Sequence, residues 1–213
     1  LITGLDENYN VLARKAEILL DSGAYGWGYV VALSMLGKWS CLYPCDNQEF
    51  TATSVYTNHI PGGAYRAVGT AQIHFAMESQ IDEICKEIDM DPLEFRLKNS
   101  AKVGDELPMG TKIRSWGLEE CLAKGAEVFG WASKKTNRTE LANPSGVLRG
   151  VGMAIEMHHA GLTGLIPTPE GSKCYAEIVE NGKIEFRVGV VEKGQGSITT
   201  LEIIAAEIID VDK

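Results

Sequence analysis

No stretch of this sequence approaches the roughly 18 to 20 uncharged apolar residues that a membrane span requires, so none is expected. The opening Leu1-Ile2-Thr3-Gly4-Leu5-Asp6 lacks a basic n-region followed by an apolar h-region, and no targeting segment is read there. Positive charge is in short supply: Lys+Arg 20 against Asp+Glu 29 leaves a formal net charge of -9. Such a surface repels phosphate backbones over most of its area, which argues against nucleic acid as a partner. Cysteine is sparse and odd in number, with five residues at 41, 45, 85, 121 and 174, a usage that fits a reduced, cytoplasmic compartment rather than a disulfide framework. Only Cys41 and Cys45 lie close together, and two thiols without a second pair nearby favour structural roles over zinc or an iron–sulfur cluster. No metal site is expected. The phosphate-loop and dinucleotide glycine patterns are both missing, so no nucleotide site is indicated.

What remains is a chain of 213 residues with 45% hydrophobic content, enough for one large domain or two small ones. After the turn signal Asn8-Tyr9-Asn10, residues 11–20 fit a strand, although their helix propensity is also good. Residues 21–28 hold three glycines and two aromatics, which predicts a loop. Ile73, Phe75, Met77, Ile81, Ile84, Cys85 and Ile88 recur at helical spacing and predict a helix over 71–88. Asp91, Pro92 and Glu94 form a helix start, with Asp91 as N-cap. Ser115 is placed as the cap of a helix reaching Phe129. The polar run 133–145 is read as a junction, giving domains 1–145 and 146–213. Beyond it the pattern predicts strands at 151–157, 173–179 and 184–191. Asn181-Gly182 should close the last two as a type I′ hairpin, and Ser197 should cap a final helix. The fold class is α+β, and the chain reads as an excised fragment.

Two glycine loops stand out chemically. In Pro61-Gly62-Gly63-Ala64-Tyr65-Arg66-Ala67-Val68-Gly69 the glycines permit close backbone approach, and Arg66 carries a fixed fork of donors suited to phosphate or oxo groups. A structural turn and an anion-contacting loop are both compatible with that pattern. In Glu192-Lys193-Gly194-Gln195-Gly196 a second turn precedes a helix N-terminus, where backbone N–H groups favour anions.

Both loops occur together and in this order. With the segments Ala76-Met77-Glu78-Ser79-Gln80 and Asp91-Pro92-Leu93-Glu94-Phe95-Arg96, and with Asp21-Ser22-Gly23-Ala24-Tyr25, the chain resembles the molybdopterin-binding subunit of the xanthine dehydrogenase and aldehyde oxidase family over nearly its whole length. The resemblance implies that Ala64, Tyr65 and Arg66 lie beside the molybdenum centre and that Gly194, Gln195 and Gly196 meet the pterin. It also implies hydroxylation of carbon with oxygen from water, with [2Fe-2S] clusters and FAD on partner domains or subunits. The family's general-base glutamate falls outside this chain, so no catalytic residue is assigned here and the fragment alone is expected to be inactive.

Departures narrow the expectation. Val68 stands where purine hydroxylases have a phenylalanine, Glu49 falls where they place a substrate-orienting arginine, and His158 replaces a second ring-stacking phenylalanine. These three residues are the candidate substrate pocket. They resemble the branch of hydroxybenzoyl-CoA reductase and nicotinate dehydrogenase more than purine hydroxylases, with an aldehyde, N-heterocycle or aromatic acyl substrate. The bland readings stay open: His158 satisfying a backbone carbonyl, and Glu49 as a solvated carboxylate. Two rivals also stay open. One is a binding or assembly module without molybdenum chemistry, and the other is a phosphate-binding fold of another class.

Overall fold

The first strand pairing decides where everything else goes. In the computed structural model, which describes residues 1–26, 28–108, 110, 112–136, 150–158 and 171–211, β1 (Ile2–Leu5) lies antiparallel to β2 (Val11–Asp21). A third strand, β3 (Asn47–Val55), lies parallel to β2 in register from Ala13↔Asn47 to Asp21↔Val55. Parallel neighbours need a crossover, which α1 (Gly28–Leu42) supplies. Sequence periodicity missed both α1 and β3. α1 buries Ser34, Met35, Gly37, Lys38, Trp39, Ser40, Cys41 and Leu42, so its later turns are covered on several sides and carry no amphipathic stripe.

The strand reading of residues 11–20 holds because alternation puts Arg14, Ala16, Ile18 and Leu20 on the core face, while Leu12, Glu17 and Leu19 face out. Against α1 packs α2 (Thr70–Glu87), close to the expected helix, and its Met77 Sδ accepts from Arg14 on that face at 2.9 Å. Its buried stripe is Thr70, Ile73, His74, Met77, Glu78, Ile81 and Cys85. Phe75, expected in the stripe, is 78% exposed, and its place in the core is taken by polar His74 and Glu78. Helix α3 (Pro92–Asn99) starts as read: the Asp91 carboxylate accepts the Leu93 N–H at 2.8 Å and the Trp131 indole N–H at 3.0 Å. Helix α4 (Leu118–Phe129) has Gly117 at its N-cap with no side-chain cap, so Ser115 lies too far upstream to cap it. The left-handed Gly130 ends α4 before the short α5 (Trp131–Thr136).

Residues 150–158 do not form the expected strand. Two of their amides are held by side chains of α2: Ile155 N–H donates to Glu78 Oε2 at 2.9 Å, and Met157 N–H donates to His74 Nε2 at 3.2 Å. Ile155 thereby joins the core of the first compact unit, Leu1–Pro167. The expected boundary at 145/146 lies outside the described residues, and the second compact unit is Thr168–Lys213.

In the second unit β4 (Cys174–Ile178) and β5 (Ile184–Val188) pair antiparallel, followed by α6 (Ser197–Ile209). The hairpin turn differs from the type I′ expectation. Only Gly182 takes a positive φ, 80°, and Gly182 N–H bonds to the Val179 carbonyl at 2.8 Å while Val179 pairs with Lys183. That is a three-residue loop ending in a left-handed glycine, and the Asn181 side chain accepts the Lys183 N–H. Ser197 is the first helical residue of α6 rather than its cap. Gly196 holds the cap position with φ 77°.

Candidate functional site

The loop 61–69 is anchored at its start by the turn that ends β2. Gly62 N–H bonds to Ser22 O at 3.1 Å, Ala24 N–H to His59 O at 3.1 Å, and Thr57 N–H to Gly23 O at 3.0 Å. The Asp21 carboxylate gathers the rest, accepting Gly23 N–H at 2.8 Å and the Thr57 hydroxyl at 2.6 Å, with His59 Nδ1 at 2.6 Å. The Thr57 hydroxyl, the Gly23 amide and His59 together hold the Asp21 carboxyl down at about 2. A depressed carboxyl contributes stability that is complete above its ordinary value of 3.8 and is lost as pH falls through about 2. Amide shifts of Gly23 followed by NMR should therefore titrate near pH 2, and a midpoint near 3.8 would show the clamp to be absent.

Past this anchor, Ala64, Tyr65 and Arg66 lie on the surface, with Tyr65 86% exposed. The loop then returns through three successive left-handed residues, Ala67 (φ 78°), Val68 (φ 34°) and Gly69 (φ 77°). Val68 N–H closes on Tyr65 O at 2.8 Å, and Thr70 N–H closes on Ala67 O at 2.9 Å to begin α2. Lys38, from the buried side of α1, donates to the carbonyls of Val68 at 2.8 Å and Ala67 at 3.3 Å. Added at Gly69, a Cβ would sit 2.8 Å from Met35 Cγ and 3.0 Å from Val31 O, so this return packs directly on α1. At Gly63, by contrast, an added Cβ meets nothing within 4 Å, which leaves room for a ligand to approach the backbone.

The second loop is organised around a carboxylate. Glu192 Oε1 accepts N–H groups of Gly194 at 2.8 Å and Gly196 at 2.9 Å, and Oε2 accepts Ile198 N–H at 3.4 Å. These amides, Gly196 first, hold the Glu192 carboxyl below its ordinary value. The donor set is thus one that binds oxygen anions. Gln195 turns back on its own loop, donating to Val191 O at 2.8 Å and Ser197 Oγ at 2.9 Å and accepting Lys193 N–H at 2.7 Å.

The three pocket candidates have different surroundings. Val68 is half-buried in the loop return. Glu49 lies on the outer face of β3 in an exposed ion pair with Lys15 at 3.1 Å, which matches the solvated-carboxylate reading, although on a strand rather than a loop. His158 is exposed and follows Met157, whose N–H is held by His74. His159 lies outside the described residues. Cys41 and Cys45 are free thiols, each raised by burial, and among the described residues no group of three His, Cys, Asp or Glu side chains could hold a metal.

Sequence reasoning missed the residues that support the Arg66 loop, Lys38 and Asp21 with His59, and it missed Glu78, which organises the core of the first unit. Glu78 accepts the Tyr43 hydroxyl at 2.7 Å, Arg96 Nε at 2.8 Å and Ile155 N–H at 2.9 Å. A charged residue on the buried face of an expected helix was the available signal at Glu78; Lys38, in a helix that periodicity did not show, gave none.

Residues 1–100 match a family described as molybdopterin cofactor-binding domain, and residues 124–213 match a second family of the same description. The xanthine dehydrogenase molybdenum-binding subunit of Escherichia coli O157:H7 is 32% identical over 211 residues, covering 98% of this chain and 27% of that protein. The nicotinate dehydrogenase large molybdopterin subunit of Eubacterium barkeri is 33% identical over 128 residues, 59% of this chain and 30% of that protein. Quinoline 2-oxidoreductase from Pseudomonas putida 86 superposes with a TM-score of 0.78 at 25% identity, over 94% of this chain and 27% of that one. The chain therefore spans about a quarter of the length of these relatives.

Proposed function

This chain belongs to the molybdopterin cofactor-binding domain family, and on that premise we propose that the protein carrying it is a molybdenum hydroxylase or dehydrogenase. Its substrate is a small aldehyde, N-heterocycle or aromatic acyl compound, its electrons pass to [2Fe-2S] clusters and FAD on partner domains or subunits, and its compartment is the cytoplasm. The observation that carries the proposal is the pair of cofactor-binding matches, one containing the Arg66 loop and the other the Gly194–Gly196 amides. Both loops carry groups suited to an anionic, oxygen-rich ligand: the first has Arg66 and an open backbone at Gly63, and the second has the Gly194 and Gly196 N–H donors, which would leave the Glu192 carboxylate to take a cofactor oxygen.

When bound, the molybdenum cofactor supplies two-electron oxidation of substrate carbon with oxygen from water. The chain's own part is to bind and orient. Ala64, Tyr65 and Arg66 would approach the metal end, and Gly194, Gln195 and Gly196 the pterin. Gln195 would do so after exchanging the bonds it now makes to Val191 and Ser197. Val68 and His158 are proposed for the substrate side. The Lys15 ion pair favours a solvated role for Glu49. Relatives named for xanthine and for nicotinate match at similar identity, so the preference for the nicotinate-like branch rests on Val68 and His158 themselves.

The test is elemental and cofactor analysis of the full-length protein purified without oxygen. Stoichiometric molybdenum with an oxidised pterin derivative is expected. A protein with neither would instead be the assembly or binding module that keeps the fold.

A further inference from the structure

Lys38 is fully buried at 0% exposure, and burial pulls its ammonium below its ordinary value. Its partners are all neutral: the carbonyls of Val68 at 2.8 Å and Ala67 at 3.3 Å, and the Ser34 hydroxyl one turn back on α1. Among the described residues no carboxylate is within ion-pair distance of it. An uncompensated buried ammonium is costly, and a methionine would fill the same space more cheaply. What the ammonium does that methionine cannot is supply three donors at one point. It supplies them to the return of the Arg66 loop. There two residues with side chains, Ala67 and Val68, hold the left-handed conformation that L-residues avoid. Such backbone persists only where its surroundings over-determine it.

We propose that Lys38 is the positioning residue of the cofactor loop. By holding the carbonyls of Ala67 and Val68 against α1, its ammonium fixes the left-handed return and so fixes how Ala64, Tyr65 and Arg66 are presented to the cofactor. The loop is clamped at both ends: Asp21 and Gly23 set its entry, and Lys38 sets its exit. The inference that the presented residues meet molybdopterin rests on the function proposed above. The clamp itself does not.

The test compares the full-length protein with its Lys38→Met and Lys38→Arg variants. In the cofactor-free form, hydrogen exchange of residues 65–70 should rise about tenfold or more in Lys38→Met, the scale of losing a charged hydrogen bond, while residues 77–85 of α2 keep their protection. Lys38→Arg should restore part of that protection. In the loaded form, the Mo(V) paramagnetic resonance of the Lys38→Met protein should have altered g-values. A merely stabilising lysine would lower cofactor content and leave the signal of the loaded fraction unchanged. Should Lys38→Met fail to fold, Ser34→Ala, which removes one partner of the ammonium, takes its place with a smaller rise expected over the same residues. Unchanged exchange at 65–70 in the folded variant overturns the proposal. A wild-type protein without molybdenum or pterin overturns the function but leaves the exchange comparison to decide on Lys38.

Discussion

Replacing Glu78 by Ala should cost about 3 to 5 kcal/mol of folding stability, the range for breaking a buried ion pair by removing one partner. Arg96, at 0% exposure, would lose its bond from Nε and keep the half-exposed Asp82, at 2.9 Å from Nη2, as its carboxylate partner, with the Pro92 carbonyl at 3.2 Å from Nη1. The Tyr43 hydroxyl and Ile155 N–H would lose their acceptor as well. Burial, the largest cause, pushes the Tyr43 hydroxyl far above the usual tyrosine range and persists without Glu78, so Tyr43 does not respond by ionising. Against a typical total of about 5 to 15 kcal/mol, this loss should move the urea midpoint far enough to leave part of the protein unfolded in buffer. The release should also be local: residues 153–157 lean on Glu78 and His74, so their amide protection should fall before that of β2. A Glu78→Ala protein within about 1 kcal/mol of wild type would mean that the ion pair is replaced by water and does not organise this core. Glu78→Gln keeps an acceptor for Ile155 and should retain protection there while still losing the charge partner of Arg96.

Gly23→Ala should be the most damaging small substitution near the candidate site. The residue sits at φ +68°, and an added Cβ would lie 2.4 Å from Ile60 O and 2.6 Å from Pro61 Cα. Both are backbone atoms, so no rotamer change relieves the clash. The left-handed conformation costs about 1 to 2 kcal/mol for an L-residue, and overpacking adds about 1 to 3. The combined loss should be about 2 to 5 kcal/mol, read from the urea midpoint. Displacing Ile60 and Pro61 also moves the entry of the Arg66 loop, so the full-length protein should lose molybdenum and pterin together with stability. Gly63→Ala is the control: its Cβ has open space, and its stability should match wild type. If Gly63→Ala alone lowers cofactor content, the backbone there is the surface the cofactor approaches. Equal stability losses in both variants would refute the steric account of Gly23.

Much of this was readable from residues in isolation. The start of α3 followed from Asp91 and Pro92, because an N-cap carboxylate and a proline at the first helical position act within a few residues of chain. The presence of a hairpin followed from Asn181-Gly182, although the turn closes with three loop residues rather than two. The Arg66 and Gly194–Gly196 loops were visible as glycine patterns, since glycine marks positions where backbone geometry is unusual.

The misses at α1 and at 150–158 share a cause, because each depends on a partner far away in sequence. α1 carries no stripe, its later turns being covered on several sides. The segment 150–158 has the apolar content of a strand, yet two of its amides are taken by His74 and Glu78, more than seventy positions earlier. Phe75 faces out because it lies two residues from both Ile73 and Met77, on the opposite side of the helix from the Ile73, Met77, Ile81 and Cys85 face, so its place among the apolar residues of α2 did not mean a place in the core. For this protein the sequence by itself determined the local starts and turns, the two glycine loops and the family to which the chain belongs. Tertiary structure alone decided that Asp21, Gly23 and Lys38 clamp the Arg66 loop. That clamp is made of contacts between strand end, helix and loop, and such contacts exist only once the chain has brought residues 21–23, 38 and 57–69 together.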